Sequence, residues 1–318
     1  MEMKPGILFR VLFLSIICIV GSTYAANDAS GKPEGYRAIV SYDTGFLAAA
    51  SDGRLDWVSE SGKISKTENF SGESFRCLLS NNQDIIAGGN KGSLLISTDK
   101  GAFKKINSGT DKNINSLALF REKILAATDD GEILVGSETG QFRKIKLNLK
   151  GNIVSLSAGS DLCWGVTDEG EIIHSKDGIV WDIFDFNQVY LGFYKSCHFT
   201  RILVTDEQIA VTGRQNDGFP VLLFSAQGNV WTDRPLNYTD EDGRMSSLRE
   251  IPNDLIYDKS KEQYLLICDF GKMMTIPSCS HCNKLMDIST YSLEAISGND
   301  TVMMIVGENR FINVIKIK

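Results

Sequence analysis

The chain has 318 residues, 42% hydrophobic and 23% charged, with six prolines and no low-complexity tract. That balance supports a packed core and excludes a disordered or linker-dominated chain. A formal charge of −7 excludes nucleic acid as a main partner, because neutralising phosphates takes a basic surface.

The chain opens on a targeting segment. Lys4 and Arg10 precede the apolar stretch Ile7–Val20, and Thr23 and Ala25 are small residues placed for signal-peptidase cleavage. The core Val11–Val20 is too short for a permanent bilayer span, though a retained anchor is the alternative. Cys18 follows the bulky Ile17, which argues against a lipoprotein site. The reading is a signal peptide over 1–25 and one domain over 26–318, exported to a periplasmic or extracellular space, with no stable membrane span after cleavage.

From Arg37 onward the chain repeats. Gly53, Gly92, Gly131 and Gly170 lie 39 residues apart. Around them fall short apolar runs. In the second unit these are Arg76-Cys-Leu-Leu, Ile85-Ile-Ala, Leu94-Leu-Ile and Phe103-Lys-Lys-Ile; in the third, Asn115-Ser-Leu-Ala-Leu, Ile124-Leu-Ala-Ala, Ile133-Leu-Val and Phe142-Arg-Lys-Ile. Runs of three to five residues rich in Ile, Leu and Val are strands on length. Four strands per ~40 residues, repeated, is the pattern of propeller blades. The expected fold is all-β, a propeller of seven four-stranded blades, with six or eight as alternatives. The seventh unit stops one strand short, and segment 27–36 is the candidate to complete it. Two connections exceed the repeat, 187–198 and 235–253. Both fall where an outer strand leads to the next inner strand, hence on one face, opposite the turns between third and fourth strands.

Those turns carry a recurring pattern: Ser97, Asp99 and Gly101 before Phe103; Ser175, Asp177, Gly178 and Trp181; Ser225, Gly228 and Trp231. Short side chains bond back to the backbone, and Gly takes φ > 0. The pattern resembles the Asp-box of sialidase-like propellers, Ser-x-Asp-x-Gly-x-x-Trp, in shortened form, and the second unit resembles a blade of the photosystem II assembly factor family. The likeness runs over residues 37–231. It implies a non-catalytic seven-bladed scaffold with structural turns, and implies no substrate or cofactor.

Candidate binding residues are Arg37 and Arg76, at the start of the first two inner strands, where an arginine pair suits a carboxylate or sulfate. Ion pairing with loop carboxylates such as Asp52 or Asp130 is the structural alternative. Tyr190, Tyr194 and His198 from the first insertion, and Tyr238, Arg244 and Arg249 from the second, have the aromatic and arginine mixture that interfaces favour. Anchoring of the loop is the alternative for the aromatics. Cys279 and Cys282 suit a disulfide clip in an oxidising compartment; the set lacks the further ligands zinc requires, so no metal is expected. Cys77, Cys163 and Cys268 sit in apolar runs and read as core residues. The function expected is an exported, non-enzymatic scaffold binding a protein or glycan partner. The alternative is a sialidase-like or other glycan-cleaving hydrolase.

Overall fold

The computed structural model describes residues 31–317, except 82, 99–100, 138–139 and 280–281. The expected leader and its cleavage point, and Asp99, lie outside them. The fold is a seven-bladed β-propeller. Blade one is β1–β4 (Tyr36–Tyr42, Gly45–Ala50, Arg54–Ser59, Ile64–Asn69), and blade two β5–β8 (Phe75–Ser80, Ile85–Gly89, Leu94–Ser97, Lys104–Lys105). Blade three is β9–β12 (Ile114–Phe120, Lys123–Thr128, Glu132–Gly136, Phe142–Lys146), and blade four β13–β16 (Ile153–Ala158, Cys163–Thr167, Glu171–Ser175, Asp182–Asp185). Blade five is β17–β20 (Cys197–Val204, Ile209–Gln215, Pro220–Ser225, Thr232–Asp233); a hairpin, β21–β22 (Asn237–Thr239, Met245–Ser247), follows it. Blade six is β23–β26 (Pro252–Asp258, Gln263–Cys268, Lys272–Pro277, Lys284–Asp287), and blade seven β27–β29 (Leu293–Gly298, Val302–Gly307, Ile312–Lys316). Strands within each blade pair antiparallel in chain order.

The core is divided. Seven apolar clusters each lie between two adjacent blades, from Leu47, Leu55 and Phe75 between blades one and two to Tyr36, Phe46, Val302 and Met304 between seven and one. This is why second strands read as unbroken small and apolar runs, such as Phe46-Leu-Ala-Ala-Ala50: both sheet faces are covered, so no polar alternation survives. The ring closes by this packing of blade one against blade seven.

Every inner strand carries a bulge at the same place. Register shifts fall at Arg37, Arg76, Asn115, Val154, Thr200, Asn253 and Glu294. A bulge adds one unpaired residue and re-aims its side chain. Below this layer, polar side chains satisfy the free edges of the inner strands, which otherwise leave donors unpaired in the channel wall. Ser116 Oγ accepts from Leu156 N (2.9 Å), Ser155 Oγ from Ile202 N (3.2 Å), Ser157 Oγ from Val204 N (3.0 Å), Asp254 Oδ2 from Ile296 N (3.0 Å) and Ser297 Oγ from Ser41 N (3.0 Å). Each bond runs from one blade to the one before it.

Blade seven has three strands among the described residues. Residues 31–35, the described part of the segment expected to complete it, are a connection and form no fourth strand. Gly35 bridges Glu308 and Glu34 O accepts from Asn309 N (2.8 Å), after which the chain enters β1.

Candidate functional site

The inner bulges converge on the mouth of the channel, on the face where outer strands connect to the next inner strands. There Arg37, Arg76, Asn115, Val154 and Glu294 line a cavity of about 270 Å³ together with Lys32, Ser51, Ser74, Phe75 and Asn90. The sequence placed Arg37 and Arg76 in adjacent blades at equivalent positions, and the structure brings both to this cavity. Their partners differ from the ion pairs weighed above. Arg37 lies 3.5 Å from Glu294 Oε1 and donates to Pro33 O (2.6 Å); Lys32 Nζ bonds the same carboxylate at 3.0 Å. Arg76 Nε donates to Asn90 Oδ1, and Nη1 to Asn115 Oδ1 at 3.3 Å. Among the described residues no carboxylate pairs with Arg76, so its charge is held by amide oxygens alone. Asp52 pairs instead with Arg310, and Asp130 with Lys112. Three of the other bulge residues staple blades: Asn115 Nδ2 donates to Ile153 O (3.2 Å), Thr200 Oγ1 to Pro252 O (2.8 Å) and Asn253 Nδ2 to Leu293 O (2.9 Å). One layer below, Arg201 is spent on Asp254 at 2.7 Å.

The insertion residues do not join this cavity; none of Tyr190, Tyr194, His198, Tyr238, Arg244 and Arg249 lines it. The first insertion begins with one helical turn, Phe186–Val189, capped by Asp185, whose carboxylate accepts from Gln188 N. Phe186, Tyr190 and Tyr194 then stack inward, with Phe186 to Tyr190 centroids at 4.6 Å and Phe186 to Tyr194 at 5.4 Å. Tyr190 Oη accepts from Trp231 N (2.9 Å) and donates to Trp231 O (3.3 Å), acting as an extra rung on the short outer strand of blade five. Burial, then the neighbouring Asp233, pushes the Tyr194 hydroxyl up to about 12. His198 has both ring nitrogens engaged, Nδ1 with Asp168 O at 2.7 Å and Nε2 with Asn216 Oδ1. These three side chains anchor the loop. In the second insertion Tyr238 packs between blades five and six, Arg249 lies over the Phe219 ring at 4.5 Å, and Arg244 lies 3.7 Å from Asp242 in solvent.

The side chains that face outward are others. Val189, Leu191 and Phe193 alternate with the inward aromatics and are exposed, Leu191 at 79% and Phe193 at 84%. Met245 at the hairpin and Phe219 are also exposed.

On the opposite face, the Ser175–Trp181 turn is closed by its own side chains. Ser175 Oγ accepts from Gly178 N (2.8 Å), Asp177 Oδ1 accepts from Ile179 N (2.7 Å) and Val180 N (2.9 Å), and Trp181 Nε1 donates to Gly178 O (3.2 Å). Ser225 and Trp231 repeat the first and last of these bonds through Gly228 (2.8 and 3.1 Å), and Ser97 Oγ donates to Gly101 O (2.6 Å). The bonds from Val180 and Ile179 hold the Asp177 carboxyl below its ordinary value of 3.8. The carboxylate therefore contributes stability in full above that value and loses it as pH falls through the depressed one. Asp177→Ala is expected to lower the melting temperature at neutral pH, with the difference from wild type vanishing in strong acid; thermal melts across the acid range check this. A constant difference at all pH values would show the carboxylate charge to be idle.

Cys77, Cys163, Cys197 and Cys268 are buried, and burial pushes the first three thiols up to about 12. Cys279 and Cys282 are exposed; Cys282 N donates to Cys279 O at 3.3 Å, and the two side chains lie within hydrogen-bond reach of each other, which raises the Cys282 thiol above its ordinary value. Arg234 clasps their turn, donating to Pro277 O (2.7 Å) and Cys279 O (2.9 Å). Among the described residues no three His, Cys, Asp or Glu side chains are grouped to hold a metal ion, and no helix is long and apolar enough to cross a membrane.

No protein-family model matches the chain, and no curated protein matches it. Among solved structures it is similar to the crystal structure of the computationally designed Ika8 protein, with 13% identity and a TM-score of 0.62 over 89% of this chain and 96% of that one. At that identity the likeness bears on the fold alone.

Proposed function

We propose that this propeller is an exported, non-enzymatic scaffold that docks a protein partner on the tip of its first insertion. The observation that carries this is the division of labour in that loop. Phe186, Tyr190 and Tyr194 fasten it to blades four and five, while Val189, Leu191 and Phe193 stand in solvent. A loop so firmly held gains nothing in stability from apolar side chains at its tip, and rigid apolar tips suit an interface because little entropy is lost on binding. The Ser175 and Ser225 turns support the resemblance to Asp-box propellers, in which such turns are structural.

The hydrolase reading asks more of the channel mouth than its residues supply. Arg37 is engaged by Glu294 and Arg76 by two amides, while Arg201, Arg249 and Arg310 lie elsewhere with partners of their own.

The test joins both readings. Leu191→Asp with Phe193→Asp is expected to leave melting unchanged, since both positions are solvated, and to cost at least about tenfold in affinity for the partner cross-linked in the native envelope. A double variant that binds like wild type would place the interface elsewhere. Turnover of sialosides or other glycosides, abolished by Arg37→Ala, would replace the scaffold reading with the enzymatic one.

A further inference from the structure

An aromatic side chain at the entry to the outer strand plugs the seam with the preceding blade. Phe103 before β8, Trp181 before β16 and Trp231 before β20 do this, as does Phe142 at the head of β12; each ring lies in the apolar cluster shared with the blade before. Blade six departs from the pattern. The residue before β26 is Asn283, and it is spent elsewhere: it is buried, and its Nδ2 donates to Pro235 O (3.2 Å) and Asn237 O (2.9 Å), holding the second insertion. The seam between blades five and six therefore lacks an aromatic plug, and a cavity of about 390 Å³ opens there. Sites for small molecules run from ~300 to ~1,000 Å³.

The lining joins an aromatic wall to polar groups that the protein leaves unused. Phe224, Tyr264 and Tyr257 form the wall, with consecutive ring centroids 5.0 and 4.8 Å apart. Gln208 Nε2 donates to Tyr264 Oη at 2.9 Å and fixes that ring. Glu207 lies in the turn between β17 and β18, and Glu262 in the turn between β23 and β24. Both are exposed, and among the described residues neither carboxylate has a partner. Arg234 lines the same cavity. Its Nη atoms donate to the carbonyls of Pro277, Ser278 and Cys279, but its Nε–H is buried without an acceptor. A cation and two carboxylates thus share one cavity without neutralising one another. A ligand that satisfies both offers acceptors to the guanidinium, donors to the carboxylates and a flat apolar face to the rings. An organic cation would suit the carboxylates and leave Arg234 unserved; a lone aromatic ring would serve neither.

We propose that this seam is a binding site for a neutral sugar ring, one pyranose unit of a glycan. The C–H face of a pyranose lies on aromatic rings as an apolar surface, while its hydroxyls both donate and accept. The unpaired carboxylates repel uronic and sialic acids, so the class is neutral. The turns that hold Glu207 and Glu262 are on the face opposite the first insertion. The site is therefore separate from protein docking on that insertion and does not rest on it.

Saturation-transfer NMR on the full exported chain tests this. The probes are the methyl glycosides of glucose, galactose, mannose and N-acetylglucosamine, with methyl glucuronide and indole beside them. Transfer to the ring protons of at least one neutral glycoside is expected, and none to the glucuronide. Glu207→Ala with Glu262→Asn is expected to leave melting unchanged, since both side chains are exposed and unpaired, and to weaken that glycoside at least about tenfold in a titration. Tyr257→Ala, which removes one wall, is expected to abolish the transfer; if it fails to fold, the glutamate pair alone decides. No transfer to any of the four, transfer that the glutamate pair leaves unchanged, or equal transfer to the glucuronide would overturn the proposal. So would indole binding without glycoside binding, which would mark the seam as a socket for a partner's aromatic side chain.

Discussion

Asp56→Ala is expected to destabilise the protein by about 3–5 kcal/mol, more than any surface change. Asp56 is fully buried between β2 and β4, yet its carboxylate is completely partnered: Tyr36 Oη donates at 2.5 Å, Thr67 Oγ1 at 2.5 Å and Arg54 Nε at 2.6 Å. Alanine deletes the acceptor and leaves a buried phenol and a half-buried guanidinium without it. Tyr36 itself sits in the core that joins blade one to blade seven, so the loss falls on the ring closure. Burial first, and then the Asp56 bond, raise the Tyr36 pKa above its ordinary 10.0. A raised pKa means the tyrosine's contribution is complete below 10.0 and is lost as pH rises through the folded value. Urea unfolding at neutral and alkaline pH checks both points: a shift under about 1 kcal/mol would mean water replaces the carboxylate, and Tyr36→Phe should flatten the alkaline decline.

Gly92→Ala is expected to cost about 2–4 kcal/mol, combining φ strain with overpacking. Gly92 has φ +70°, and a Cβ there would run into the Thr110 carbonyl and come within 2.8 Å of Ser108 Oγ, which itself donates to Gly92 O at 2.7 Å. The obstruction is backbone, so it cannot rotate away. Gly72→Ala is the control: φ is +83°, but nothing lies within 4 Å of the added atom. It should cost only the strain, about 1 kcal/mol. Equal losses in the two variants, read from thermal melts, would show that packing against the connection contributes nothing.

The 39-residue spacing of Gly53, Gly92, Gly131 and Gly170 made the architecture readable, because each of these glycines takes positive φ in the turn three residues past the end of a second strand. The alignment of Arg37 and Arg76 followed from the same period. The bulges that give those positions their meaning left no mark in composition, since Arg, Asn, Val, Thr and Glu all occupy them. The insertions were legible as extra length, but which aromatics turned inward was not. Tyr190 and Tyr194 attract notice as interface residues, yet they are spent on Phe186 and Trp231, while Val189, Leu191 and Phe193 are the ones left in solvent. The insertion residues stay out of the cavity that holds Arg37 and Arg76 for a geometric reason: inner strands start at the axis, and these loops leave from the perimeter.

Because each apolar cluster belongs to one pair of blades, no side chain in the interior answers to the whole ring. A substitution must be reconciled with one neighbour, at most two. Sequence change can therefore accumulate in one sector while the rest stays as it was. The regular period of the first four blades beside the lengthened fifth and sixth is what such a lineage would leave behind: divergence confined by construction, with the circle held by its contacts and not by its likeness.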